Sequence, residues 1–177
     1  MSKKLWLILA IVACIGLTER GEAGETTAET YAAAHALQIA PALTMVGTID
    51  KDGFPQIRVM SNLRHPDRTA AKLAGDGDFT AYAVTRADSE KMEHLATDPK
   101  MSMYYQEGGQ GLLLMGTTEV VTDAEARRAV WDEAFKQLGY GSGPDDPMLT
   151  VLRFVPSHGK FYSRGRQYPL SFPPLER

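Results

Sequence analysis

Two alternating apolar segments meet at a tight turn in the stretch TIDKDGFPQIRVM, residues 48–60, and no other part of the sequence constrains the fold as strongly. Asp52 and Gly53 supply the residues that turns with positive φ require, and Pro55 fixes the exit from the turn. Segments of this kind on both sides of such a turn are typical of a β-hairpin. The sequence therefore predicts a β-rich fold from this point.

The second strand of this hairpin presents an arginine. Side chains alternate along a strand, so Ile57 and Val59 face one way, while Arg58 and Met60 face the other. Arg58 is thus predicted to share a face with Met60.

The composition is that of one ordinary globular domain. The chain has 177 residues, of which 44% are hydrophobic and 23% are charged, and its formal net charge is -3. Because there is no broad basic surface to attract a phosphate backbone, we expect no nucleic-acid partner.

The N-terminus has the layout of a signal peptide. Lys3 and Lys4 precede the apolar run LWLILAIVACIGL, and small residues up to Ala23 offer a cleavage site. The run is shorter than the roughly 20 apolar residues of a spanning helix, so no permanent membrane span is expected. Export to the periplasm or the extracellular space is predicted, with lipid attachment at Cys14 as the alternative. If cleavage follows Ala23, the mature chain lacks cysteine, which excludes disulfides and thiolate chemistry.

The remaining chain reads as strands with a few helices. The prediction divides it into a signal peptide (1–23), an N-terminal helix (24–41), a barrel domain (42–163) and an extended C-terminal tail (164–177). A short helix is expected to begin at Ser89 and to end before Pro99, and a long one to run from Asp123 to Gly139. Since the strands are mostly antiparallel neighbours, a small closed or split barrel with peripheral helices is predicted.

Two separate segments carry groups that suit a phosphate. The planar guanidinium of Arg58 can form two parallel hydrogen bonds to phosphate oxygens. If Ser89 begins a helix, its hydroxyl and the ammonium of Lys91 lie near the positive end of that helix. Each motif alone is also typical of a solvated surface, and only the fold can bring the two together.

The order of four segments resembles the FMN-binding split-barrel family, the pyridoxamine 5'-phosphate oxidase-like proteins, and within it the general stress protein branch. The resemblance runs from about residue 42 to 162 and rests on TIDKDGFPQIRVM, FTAYAVTRADSEKMEHLATDPKMSMYY, LLLMGTTEVVTDAEARRAVW and LRFVPSHGKFY. It implies a mainly β (α+β) fold, a six-stranded antiparallel split β-barrel with peripheral helices. It also implies FMN as the cofactor and a homodimer with the flavin at its interface.

The resemblance also assigns residues to the flavin. Arg58 would lie at the phosphate, and Val59 and Met60 at the edge of the isoalloxazine ring. The strand-to-helix segment would hold ribityl and phosphate oxygens, and a strand of the second subunit would add one contact. These further residues are Thr85, Ser89, Lys91 and, from the second subunit, Gln106.

The resemblance implies an FMN-dependent oxidoreductase that acts on an unknown small-molecule substrate. Full pyridoxamine 5'-phosphate oxidase activity is not expected, because Glu90 interrupts the phosphate segment and the C-terminus is RQYPLSFPPLER. No catalytic residue can be named, since a flavin transfers hydride or electrons with its own ring.

The alternative is a non-catalytic flavin- or haem-binding module, a carrier, store or sensor, in which His158 would ligate iron. A third possibility is a barrel that serves a partner protein. The histidines lack a chelating spacing, so no structural metal site is expected.

Overall fold

The computed structural model describes residues 26–73 and 78–172. The predicted signal peptide and Cys14 lie outside these ranges. Within them, no helix is long and apolar enough to cross a membrane.

The described chain contains three α-helices, seven strands and short 3₁₀ segments. In chain order the helices and strands are α1 (Ala28–Ile39), β1 (Leu43–Ile49), β2 (Pro55–Ser61), β3 (Ala81–Arg86), α2 (Glu90–Thr97), β4 (Lys100–Glu107), β5 (Gln110–Val120), α3 (Ala124–Val130), β6 (Leu149–Ser163) and β7 (Arg166–Ser171).

The strands form one antiparallel sheet that curls into a half-barrel. Its order is β2-β1-β4-β5-β6-β3, and β7 pairs with β6 beside this path. The six-stranded antiparallel barrel predicted from the sequence is therefore confirmed. The seventh strand lies in the segment where an extended tail is expected, and its Leu170 is buried in the core.

The β1–β2 hairpin forms at the predicted turn, and its geometry follows from Asp50. The Asp50 carboxylate accepts hydrogen bonds from the backbone N–H groups of Asp52, at 3.0 Å, and Phe54, at 2.8 Å. Gly53 has a φ of 86°, which favours glycine. The turn thus fixes the register in which Val46 lies opposite Arg58.

The main core lies between the curled sheet and α1. Thr27 begins α1 with a reciprocal pair of hydrogen bonds to Thr30, and the helix buries Ala34, Leu37 and Gln38. These helix residues cover the inner side of the sheet, where the buried side chains include Val46, Met103, Tyr105, Leu112, Phe154 and Phe161.

The predicted long helix is broken, which corrects the sequence analysis. It begins after Asp123 and ends at Gly139 as expected, but α3 stops at Val130. Trp131 leaves the helix with a ψ of 135°, and the Asp132 side chain accepts from the backbone N–H of Ala134. Asp132 thereby starts a separate 3₁₀ segment, because an aspartate at this position competes with the helix for backbone donors.

The two extended pieces expected near the C-terminus are one strand, β6. Its pairing with β5 shifts register between Met115 and Gly116, opposite Pro156 and His158. Proline cannot donate to a ladder, and a bulge accommodates it without ending the strand.

Candidate functional site

The edge strand β2 carries the first cation of the site. Arg58 faces the inner side of the barrel, and its Nη1 donates to the hydroxyl of Thr48 on β1 at 2.8 Å. Thr48 is buried, so this hydrogen bond holds a partly buried guanidinium in one direction.

The turn between β3 and α2 carries the second cation. The Lys91 ammonium donates to the hydroxyl of Thr85 at 2.6 Å and to that of Ser89 at 3.3 Å. The two hydroxyls are 3.0 Å apart. Ser89 is at the predicted start of α2, but its side chain makes no capping hydrogen bond and turns to Lys91 instead.

The two cations influence one another through space. Burial lowers the pKa of Lys91, the charge of Arg58 lowers it further, and Glu90 opposes both effects. Burial also lowers the pKa of Arg58, again against the charge of Glu90. Within the described ranges, neither cation lies within 4.0 Å of a carboxylate oxygen. Two partly dehydrated positive charges therefore lie near each other with hydroxyls as their close partners.

A histidine that the sequence analysis did not assign to the site joins this cluster. His94, one turn after Lys91 on α2, places its Nδ1 2.9 Å from the hydroxyl of Thr48. Neither Thr48 nor His94 was predicted, because a strand threonine and a lone helix histidine carry no spacing signal. The only hint is the i, i+3 relation that puts Lys91 and His94 on one helix face.

A cavity of about 470 Å³ lies beside the cluster but differs from it in charge. It is an open cleft between the β1–β2 turn and α2, and its lining residues are Asp50, Lys51, Asp52, Gln56, Glu90, Glu93, His94 and Thr97. Four carboxylates line this space, so it repels anions. The cluster around Arg58 and Lys91 therefore suits an anion better than this cavity does.

The other residues assigned to the flavin fall on two faces of the sheet. Met60 shares the inner face with Arg58 and packs against the core, as the alternation predicts. Val59 lies on the outer face opposite Met45, which also pairs with Tyr104. Gln106, two residues after Tyr104, is exposed on the same outer face. Within one chain, the structure thus groups Arg58, Thr85, Ser89 and Lys91, but leaves Val59 and Gln106 on the other side of the sheet.

His158 lies away from this cluster. It is on β6, and its Nδ1 is 2.9 Å from the hydroxyl of Ser157. In the part of the chain that the structure describes, no group of three His, Cys, Asp or Glu side chains could hold a metal ion.

A sequence profile of the family described as Pyridoxamine 5'-phosphate oxidase matches residues 32–163. No protein with a curated description matches the sequence significantly.

Solved structures share the fold. A Clostridium acetobutylicum protein related to general stress protein 26 of B. subtilis (pyridoxinephosphate oxidase family) is 23% identical with a TM-score of 0.69, covering 83% of this chain and 97% of its own. A putative general stress protein 26 from Jannaschia sp. CCS1 is 19% identical with a TM-score of 0.62, covering 83% of this chain and 100% of its own. A Nostoc punctiforme pyridoxamine 5'-phosphate oxidase-related, FMN binding protein is 12% identical with a TM-score of 0.55, covering 83% of this chain and 96% of its own. At these identities the likeness establishes the fold.

Proposed function

The chain belongs to the pyridoxamine 5'-phosphate oxidase family, as its resemblance predicted, and from this we propose that it binds FMN and acts as a flavin-dependent oxidoreductase on a small molecule. Arg58, Thr85, Ser89 and Lys91 would hold the phosphate end of the cofactor. The solved relative from Nostoc punctiforme is described as FMN binding, which agrees with this choice.

The pair of cations without carboxylate partners carries the proposal. Within the described residues, Arg58 and Lys91 donate to hydroxyl oxygens alone, and burial disfavours their charged forms. A phosphate dianion would offset both charges and accept charge-assisted hydrogen bonds from them. The hydroxyls of Thr85 and Ser89 add two further donors of the kind that phosphate and ribityl oxygens accept. The donor set therefore fits the phosphate of FMN.

When bound, FMN supplies hydride or electron transfer through its own ring. The chain's part is then to bind and orient the cofactor and to exclude water. Met60 on the inner face and the backbone of Val59 would line the ring beside the phosphate site. Glu90 lies close enough to affect both cations, and this departure from the family pattern leaves pyridoxamine phosphate oxidation outside the proposal.

The homodimer is part of the proposal because the outer face of the sheet is apolar and uncovered. Ile57 is 69% exposed, Val59 64% and Leu43 58%. A second copy packed on this face would bury these side chains, and the contact of its Gln106 with the flavin is proposed from the family resemblance alone. Export belongs to the proposal as well, and it is supported by the basic and apolar N-terminal sequence alone.

The test is FMN affinity in variants of the two cations. We expect the Arg58→Ala/Lys91→Ala variant to bind FMN about tenfold more weakly or worse, because hydrogen bonds to charged groups contribute roughly 1.5–3 kcal/mol each. Lys136→Ala, an exposed lysine on the 3₁₀ segment after α3, is the control and should leave the affinity unchanged. Fluorescence titration measures both.

The outcomes separate the candidate functions. Unchanged FMN affinity in the double variant would contradict the phosphate site. A Soret band in the purified protein would point to a tetrapyrrole carrier, and a colourless protein that refuses FMN would point to a protein-interaction module.

A further inference from the structure

The hydroxyl of Thr48 has two partners and no access to water. Thr48 is 1% exposed, and it accepts a hydrogen bond from Arg58 at 2.8 Å through one lone pair of its oxygen. Its single proton needs an acceptor, because a buried hydroxyl without one is destabilising.

His94 is that acceptor. Its Nδ1 lies 2.9 Å from the Thr48 oxygen, whereas the guanidinium of Arg58 can only donate. Among the described contacts, Nδ1 is the only acceptor within reach of the Thr48 proton, which assigns the proton of the imidazole to Nε2. The three side chains form a directed series in which Arg58 donates to Thr48 and Thr48 donates to His94.

This series joins the two halves of the site. Arg58 is on β2, whereas His94 is on α2 together with Lys91. The imidazole thus links the guanidinium to the helix that carries the other cation. A change in the position of His94 would alter the direction of the guanidinium relative to the Lys91 ammonium.

We propose that His94 is a positioning residue for phosphate recognition, which acts through Thr48 to orient Arg58. It would set how strongly the protein prefers FMN over riboflavin, which has the same ring but no phosphate. This inference rests on the proposed function, since it concerns the same phosphate.

The experiment compares the dissociation constants of FMN and riboflavin for wild-type protein and four variants. In His94→Ala the FMN affinity should fall about threefold to tenfold, as expected for one lost hydrogen bond, while riboflavin affinity stays unchanged. His94→Asn should restore most of the FMN affinity, because the asparagine oxygen can occupy the position of Nδ1. Urea unfolding of each variant checks that the fold is retained.

A double-mutant cycle tests the route through Thr48. Thr48→Val is close to isosteric and removes the linking hydroxyl, so Thr48→Val/His94→Ala should bind FMN no more weakly than Thr48→Val alone. Additive losses, or parallel losses for FMN and riboflavin, would overturn the inference. Unchanged FMN affinity in His94→Ala would also overturn it while leaving the proposed function intact. A wild-type protein that binds neither flavin would overturn both.

Discussion

At the scale of single residues, Tyr105 shows how firmly the core excludes water. Its side chain is completely buried, and its hydroxyl contacts the sulfur of Met103 at 3.5 Å. Burial raises the pKa of Tyr105 to about 12, against smaller opposite effects of Gln38, Arg64 and Thr44. The phenol therefore keeps its proton in the native state at pH values where an exposed tyrosine loses it.

This difference makes stability depend on pH in the alkaline range. Below pH 10 both states hold the proton, but above it the unfolded state releases the proton first, so the free energy of unfolding falls as pH rises. The change from 10.0 to about 12 corresponds to a loss of roughly 3 kcal/mol, complete once the pH passes the native value. Tyr105→Phe keeps the ring without the ionisable oxygen, so it should lose less stability between pH 10 and 12. Urea unfolding at a series of pH values measures this, and parallel curves for the two proteins would contradict it.

The sequence could predict which residues have side chains that suit a phosphate, but not which of these residues lie close together. Arg58, Ser89 and Lys91 were named because their chemistry suits phosphate, and the structure groups them with Thr85. Their proximity follows from the curling of a sheet in which β2 and β3 lie at opposite ends of the strand order. No local pattern encodes that closure, and Thr48 and His94 could be recognised only after it.

At the scale of elements, the pairing of β5 with β6 depends on a glycine at the bulge. A Cβ on Gly116 would overlap the backbone of Val155 and Pro156. These are backbone atoms of a paired strand, so they cannot move aside as a flexible side chain would. The close approach of the two strands therefore requires glycine at this position.

Replacing this glycine tests the point. We expect Gly116→Ala to lower the free energy of unfolding by roughly 1–3 kcal/mol, the usual range for overpacking. Gly141→Ala is the matched control, because nothing lies within 4 Å of a Cβ at that position. Chemical denaturation measures both variants. Equal free energies of unfolding for the two variants would show that β5 and β6 can move apart at Gly116 without loss of stability.

The elements themselves were largely predictable, and the exceptions have local causes. Alternation and turn residues located the hairpins, and caps located the ends of the helices. Asp132 was placed inside a helix because helical periodicity continues through it, yet its side chain acts as a cap. Periodicity alone cannot distinguish these two uses of an aspartate.

At the scale of the whole molecule, β2 has an inverted distribution of polarity. Its charged residue, Arg58, faces inward, while Ile57 and Val59 face outward and are largely exposed. The alternation was correctly predicted, but which face turns to the interior depends on how the sheet curls. An apolar outer face beside a polar inner one is typical of a surface that a partner covers.

We expect Ile57→Lys to weaken self-association through this face and to shift the protein towards the monomer. A lysine at the centre of an apolar contact would lose its hydration without gaining a partner. Leu138→Lys is the matched control, since Leu138 is 57% exposed on the 3₁₀ segment and outside this face. Light scattering after size exclusion gives the mass of each variant. A dimer that survives Ile57→Lys would place the contact elsewhere.

The strand order has a consequence for synthesis on the ribosome. In the described sheet, β3 pairs with β6 alone, and two further strands, β4 and β5, and two helices, α2 and α3, lie between these partners in the chain. In the nascent chain β3 therefore has no strand partner until β6 has been made, whereas β1, β2, β4 and β5 can pair before that. On the proposed function, the phosphate site would be complete only once β6 has been made, so the cofactor would bind late in maturation.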